Sequence, residues 1–434
     1  MMTMRILFCW LLLLAATAAA SAQSSYLFVG TYTNTGNLNN PGAKLDSTGS
    51  KGIYVYRFEG GSDPREAGSD SRAGSDPREA GSAPAGGGKL RGEPRIRLLS
   101  HTKGVCNPSY LAMAPDGHHL YACTESRMKG AGSVSSFDFI REEGKLQLIN
   151  KRSSVGDNPA YVSVSGTGKY VGVANYTDGS MGLYPVSGNG ALDTMQLWMK
   201  YRGHGVDSAR QEAPHVHSVV FSPDDKWCYV QDLGLDRVSV HTFDSGMALK
   251  IFGRAMIFET DWVPGKPGET HDITTVPGSG PRHLTFHPNG QYAYLLEEMG
   301  GSVDVYRYHP ENGRLDSLQR IAAHASDTQG PFRSADIHVS PDGRFLYASN
   351  RAESNIAIFS IEPSTGLLTT VGYQPTFGKE PRNFTLDPSG RWLLVANQDS
   401  NAIVVFRVDR ETGLLERTGK TIEVPAPTCL TMLQ

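Results

Sequence analysis

The chain has 434 residues, 41 of them Lys or Arg and 44 Asp or Glu, for a formal net charge of −3. That balance excludes the basic footprint of a nucleic-acid binder, and a mean hydropathy of −0.32 excludes a polytopic membrane protein. The length exceeds the roughly 100–200 residues of one ordinary domain, which leaves two domains or one large single architecture.

Residues 1–22 carry one early basic residue, Arg5, then an apolar run from Ile6 to Ala20 and the small-residue sequence Ala20-Ser21-Ala22. This order is that of a secretory signal, and the run is shorter than the roughly 20 residues that span a bilayer. The mature chain is therefore expected to start near Gln23, exported to the periplasm or beyond, with no stable membrane anchor once the signal is removed. Four cysteines remain after it (Cys106, Cys123, Cys228 and Cys429), with no Cys-x-x-Cys pair. Bridges and free buried thiols are both open readings in an oxidising compartment.

Residues 26–32, 52–58 and 94–99 are short apolar runs that match the second, third and fourth strands of a four-stranded unit with no first strand. Between the last two lies 59–93, rich in Gly, Ser, Asp and Arg, with GSDPREA at 61–67 and again at 74–80. It has too few apolar residues to offset the entropy of ordering, and is expected to be a disordered loop grown by duplication.

From there a turn recurs six times: Ala114-Pro-Asp-Gly117, Ser165-Gly-Thr-Gly168, Ser222-Pro-Asp-Asp225, His287-Pro-Asn-Gly290, Ser340-Pro-Asp-Gly343 and Asp387-Pro-Ser-Gly390. Proline sets φ and glycine accepts φ > 0, the requirements of a tight turn. Each turn joins two short apolar runs, and two further runs follow, which gives a four-stranded meander per unit of about 50 residues. Tandem meanders build a β-propeller. Residues 427–433 supply a lone first strand at the C-terminus. Joined to the three N-terminal strands they complete a blade, so the expected fold is all-β: one seven-bladed β-propeller domain over 23–434, its ring closed by both termini.

The repeat also locates a site. Eight residues before the turn's last residue stand Ser109, Ala160, His217, Arg282, Ala335 and Arg382; eight after it stand Glu125, Tyr176, Leu233, Glu298, Arg351 and Gln398. Antiparallel pairing brings both sets to one rim. Arg237, opening a third strand, falls at the same rim, and His215, His283, Asp336 and His338 belong to the first-strand segments. Arg237, Arg282, Arg351 and Arg382 offer planar donors for carboxylate or phosphate. His217 with Glu298 can serve as a general base on water, and an arginine can stabilise the oxyanion formed at an attacked carbonyl. Inter-blade ion pairs and core histidines are the structural alternative for the same residues. His215-Val-His217 puts two imidazoles on one strand face but lacks a third ligand, so no metal or other cofactor is expected.

Gly30-Thr-Tyr-Thr33, Asn107-Pro-Ser-Tyr110, Val173-Ala-Asn-Tyr176, Glu212-Ala-Pro-His-Val-His217, Asp232-Leu-Gly-Leu-Asp-Arg237, Gly280-Pro-Arg-His283, Ala335-Asp-Ile-His338, Tyr347-Ala-Ser-Asn-Arg351 and Pro381-Arg-Asn-Phe384 together resemble the propeller-type lactonase family. That family includes bacterial 6-phosphogluconolactonases and is related to fungal carboxy-muconate lactonizing enzymes. The resemblance implies a metal-independent hydrolase that opens 6-phosphoglucono-1,5-lactone or a related anionic lactone. It implies His217, Glu298 and Arg282 as catalytic residues, with Arg237, His283, His338, Arg351 and Arg382 binding substrate. Glu297, beside Glu298, is expected to add negative charge to the pocket. The expected partner is a small lactone, with no nucleic acid, and the chain is expected to be a monomer. A muconate-type cycloisomerase and a non-catalytic ligand-binding propeller are the other readings.

Overall fold

The structure, a computed structural model, describes residues 24–34, 48–61, 92–126, 130–242, 256–259 and 270–434. The expected export signal and residues 62–91 of the insertion lie outside these residues.

Seven antiparallel sheets form in the order the turns require. Blade 1 joins the two ends of the chain: Pro427–Leu433 is innermost, followed by Ser24–Thr31, Ile53–Glu59 and Arg95–Thr102. Pairing of Tyr26 with Leu433 through Gly30 with Cys429 closes the ring and covers the edge that Ser24–Thr31 would otherwise expose. Blades 2 to 7 begin at Pro108–Met113, Pro159–Val164, Val216–Phe221, Pro281–Phe286, Ser334–Val339 and Pro381–Leu386. Blade 3 departs from the expected four strands. Met256–Glu259, from the connection between the third and fourth strands of blade 4, pairs in parallel with Leu197–Lys200 on its outer edge.

The apolar residues are gathered into seven seams, one between each pair of neighbouring blades. Between blades 5 and 6, for example, Tyr294, Leu296 and Val305 pack on Ile337, Leu346 and Phe359. A buried phenol needs an acceptor, and four blades meet the need in one way. Tyr121, Tyr229, Tyr294 and Tyr347 donate to the carbonyls of Gly190, Gly313, Gly366 and Gly413 in the next blade, at 2.8–3.1 Å. Gly413 has φ +75, and a Cβ there would strike the Phe345 ring, so this turn requires glycine. The four cysteines among the described residues are free thiols, three of them buried.

One irregularity recurs in every blade and prepares the site. Each innermost strand carries an extra residue near its start: Thr428, Ser109, Ala160, His217, Arg282 and Arg382 fall between paired neighbours, and in blade 6 Ala335 and Asp336 stand opposite Ser349 alone. Such a bulge breaks the strand's two-residue alternation and re-aims a side chain. The bulged residues are the set counted from the turns, with Thr428 added by the composite blade.

Candidate active site

Alternation alone would turn Arg282 and His283 to opposite faces. With the bulge at Arg282, both reach His217. The Arg282 guanidinium donates to His217 Nε2, and the His283 ring stands edge-on 5.4 Å from the His217 ring. Arg282 also donates to Glu298 Oε2 (2.6 Å) and, through Nε, to the Ala335 carbonyl (2.6 Å) at the bulge of blade 6.

Glu298 is the hub. Its Oε2 also meets Arg351 at 3.0 Å, and its Oε1 accepts from Arg210 at 2.8 Å. Burial alone would raise this carboxyl, but the charges of Arg351, Arg282 and Arg210 outweigh it and hold the group well below the usual carboxylate range. Burial and the neighbouring Arg282 push His217 well below the histidine range, so the ring is neutral. A guanidinium only donates, so Nε2 is the acceptor and the ring proton sits on Nδ1. That Nδ1–H is buried and has no hydrogen-bond partner among the described residues.

Arg351 is tied to the Arg333 carbonyl (3.1 Å) and to Glu380 (3.6 Å), and burial lowers it to about 10. Arg382 stands over the Tyr32 ring, 5.5 Å from its centroid, and 3.9 Å from Glu125. Deeper in the channel, Asp336 accepts from His283 Nδ1 (2.9 Å), His338 Nε2 (2.9 Å) and Asn383 (2.6 Å). Burial sets His283 at about 4, against the opposing hydrogen bond to Asp336. Burial would lower His338 too, but the Asp336 charge outweighs it and raises the ring.

The structure thus gathers His217, Arg282, Glu298, Arg351 and Arg382 at one mouth, with His283 and His338 on the strands below. Arg237 is not brought to this group. It opens the third strand of blade 4, and its guanidinium pairs with Asp272 on the outer fourth strand at 3.1 Å. Glu297 differs from expectation as well. It ends a strand in which alternation turns it away from Glu298, and burial and the nearby Asp304 raise its carboxyl well above the usual range. Burial favours its protonated form, and its charged neighbours are Asp304 and Arg320, not the guanidiniums around Glu298. His215 stacks on Tyr176 (4.6 Å), apart from the His217–Arg282 contact, and among the described residues no three His, Cys, Asp or Glu are grouped to hold a metal.

Arg210, Tyr32, Arg333 and Glu380 escaped the sequence reading. Arg210 lies in a loop outside the repeat and carries no positional signal. Tyr32 occupies in blade 1 the position of Glu125 in blade 2, but blade 1 has no turn to count from, because its first two strands come from opposite ends of the chain.

A family described as lactonase with a seven-bladed β-propeller matches residues 89–432. The chain is 39% identical over 293 residues to a 6-phosphogluconolactonase of Formosa agariphila, covering 67% of this chain and 78% of that one. It is 28% identical over 327 residues to the 6-phosphogluconolactonase of Bacillus subtilis, covering 75% and 87%. A solved periplasmic gluconolactonase of Pseudomonas aeruginosa superposes with a TM-score of 0.75 at 32% identity, covering 95% of this chain and 99% of that one.

Proposed function

Because this chain belongs to the lactonase family of seven-bladed β-propellers, we propose that it hydrolyses an anionic sugar lactone at the channel mouth. The observation that carries the substrate class is a local charge excess. Arg210, Arg282, Arg333, Arg351 and Arg382 face Glu125, Glu298 and Glu380, five guanidiniums against three carboxylates. Such an excess attracts a carboxylate or phosphate, and planar guanidiniums suit both.

The roles follow from where these groups stand. Arg351 and Arg382 clamp the anionic group. Arg282 is the donor for the lactone carbonyl oxygen as it becomes an oxyanion. Glu298, with three guanidiniums on its two oxygens, holds Arg282 in place. His283 and His338, linked through Asp336, line the channel beneath and bound the sugar ring. The N-terminal signal pattern and the likeness to a periplasmic gluconolactonase support an exported enzyme.

The test is a pH-stat assay of the purified protein on glucono-1,5-lactone and its 6-phosphate, beside a muconolactone. Ring opening faster than buffer, with one proton released per lactone, supports hydrolysis. A clear preference for the phosphate ester supports the anion clamp, and equal rates on the neutral lactone overturn it. Turnover of the muconolactone without water uptake, or tight binding of aldonate with no turnover of any lactone, overturns the hydrolase reading itself.

A further inference from the structure

Hydrolysis needs a group that takes a proton from water, and on the cation-rich side of the mouth every candidate is engaged by a guanidinium or enclosed. Both oxygens of Glu298 are engaged by guanidiniums. Glu380 keeps its Oε2 but carries two guanidiniums on Oε1, Arg333 at 2.7 Å and Arg351 at 3.6 Å. The Nε2 lone pair of His217 accepts from Arg282. His283 has a bare Nε2, but this atom is buried, with the Tyr110, Tyr161 and His217 rings packed around the imidazole. Asp336 is enclosed by two histidines and Asn383.

One carboxylate at the mouth is placed differently. Glu125 Oε2 accepts from the Tyr32 hydroxyl at 2.7 Å, and its nearest cation, Arg382, is 3.9 Å away. Its Oε1 has no partner among the described residues, and the side chain is 11% exposed. The pair is also built, not incidental. Asn107 Oδ1 accepts from the backbone N–H groups of Thr33 (2.8 Å) and Asn34 (2.9 Å), while its Nδ2 donates to the Glu125 carbonyl (3.1 Å). This one side chain locks the Tyr32 segment of blade 1 to the Glu125 strand end of blade 2.

Resting on the lactone-hydrolase reading, we propose that Glu125 is the general base, positioned by Tyr32 and seated beside the Arg382 clamp. Water held at Oε1 attacks the lactone carbonyl carbon and its proton passes to Glu125. The tetrahedral oxyanion collapses, the C–O ring bond breaks, and Glu125 returns the proton to the departing ring oxygen. The new carboxylic acid then ionises and releases one proton to solvent, so the step needs no other reactant. The ionisable groups that face Glu125 are Tyr32, Arg382 and Cys123. Burial keeps the Tyr32 phenol neutral, nearby Tyr32 and Glu125 keep Arg382 charged despite burial, and burial pushes the Cys123 thiol up to about 12. None of the three changes charge near neutral pH.

The test compares wild type, Glu125→Gln, Glu125→Ala and Tyr32→Phe on glucono-1,5-lactone by pH-stat, with thermal melts to verify folding. Loss of a general base costs about 10²–10⁴ in rate, so Glu125→Gln is expected to lose at least about 100-fold in kcat with KM little changed. Added formate is expected to restore part of the Glu125→Ala rate, and Tyr32→Phe to lose about tenfold or less, the worth of one hydrogen bond. A folded Glu125→Gln that keeps more than about a third of wild-type kcat overturns the assignment, as does an inactive Glu125→Ala that formate does not restore. Either result leaves the lactonase reading standing if wild type is active, whereas a wild type that opens no lactone overturns that reading first.

Discussion

The channel mouth has two arcs built from the same strand positions and carrying different chemistry. On blades 4 to 7 the bulged and strand-end positions hold His217, Arg282, Glu298, Arg351 and Arg382, cross-linked by charge. On blades 1 to 3 the equivalent positions hold Thr428, Tyr32, Ser109, Glu125, Ala160 and Tyr176, with one ion-pair contact at 3.9 Å. A sevenfold backbone therefore supports an asymmetric site: the repeat sets where side chains meet, and their identities set what they do. The cationic arc is donor-rich, and the other arc keeps a carboxylate whose nearest cation is 3.9 Å away.

The largest expected effect breaks the cationic arc at its centre. Arg282→Ala removes partners from both His217 and Glu298, and should lower kcat/KM by at least about 100-fold, the scale of losing one oxyanion donor. A melt should also show reduced stability, because it leaves Glu298 one guanidinium short in a buried site. A kcat/KM within about threefold of wild type would remove Arg282 from the reaction. Arg351→Lys keeps the charge but not the planar fork that reaches Glu298 and the Arg333 carbonyl. Its KM should rise about tenfold with kcat nearly unchanged, which steady-state kinetics will show.

On the other arc, Tyr176→Phe should cost no more than about two- to tenfold in kcat/KM, since it deletes one hydroxyl and keeps the ring against His215 and His217. Beneath the arcs, His338 should stabilise the fold in a pH-dependent way. Its ring is raised above the ordinary 6.5 by Asp336, so its contribution is full below 6.5 and is lost as pH rises through the folded value. The melting-temperature gap between wild type and His338→Gln should therefore shrink from pH 6 to pH 9; a constant gap would deny the ion pair. The smallest effect is expected outside both arcs. Arg237→Ala should leave kcat/KM within about twofold, because its partly exposed pair with Asp272 is a local contact on an outer strand.

Much of this was legible in the residues. Turns of the Pro-Asp-Gly kind, spaced by roughly 50 residues between short apolar runs, dictated a ring of meanders. The unmatched runs at 26–32 and 427–433 dictated its closure. Counting from the turns found Arg282, Glu298, Arg351, Arg382, His217 and Glu125, because position within a repeat is local information. The count failed where position is not local. Arg237 shares the rim but not the radius, since a third strand sits farther from the axis than a first. Glu297 sits beside Glu298 in sequence, but strand alternation turns it away.

What the tertiary structure alone decided is the set of partners. Arg210 arrives from a loop with no place in the repeat, and Tyr32 from a blade assembled out of both ends. Which carboxylate is saturated and which remains open depends on distances between blades that are remote in sequence, such as the 88 residues from Arg210 to Glu298 and the 93 from Tyr32 to Glu125. Sequence periodicity determines the backbone because turns and strand pairing are short-range. The protonation and reach of each group at the mouth are long-range electrostatics and packing, and these exist only once the ring is closed.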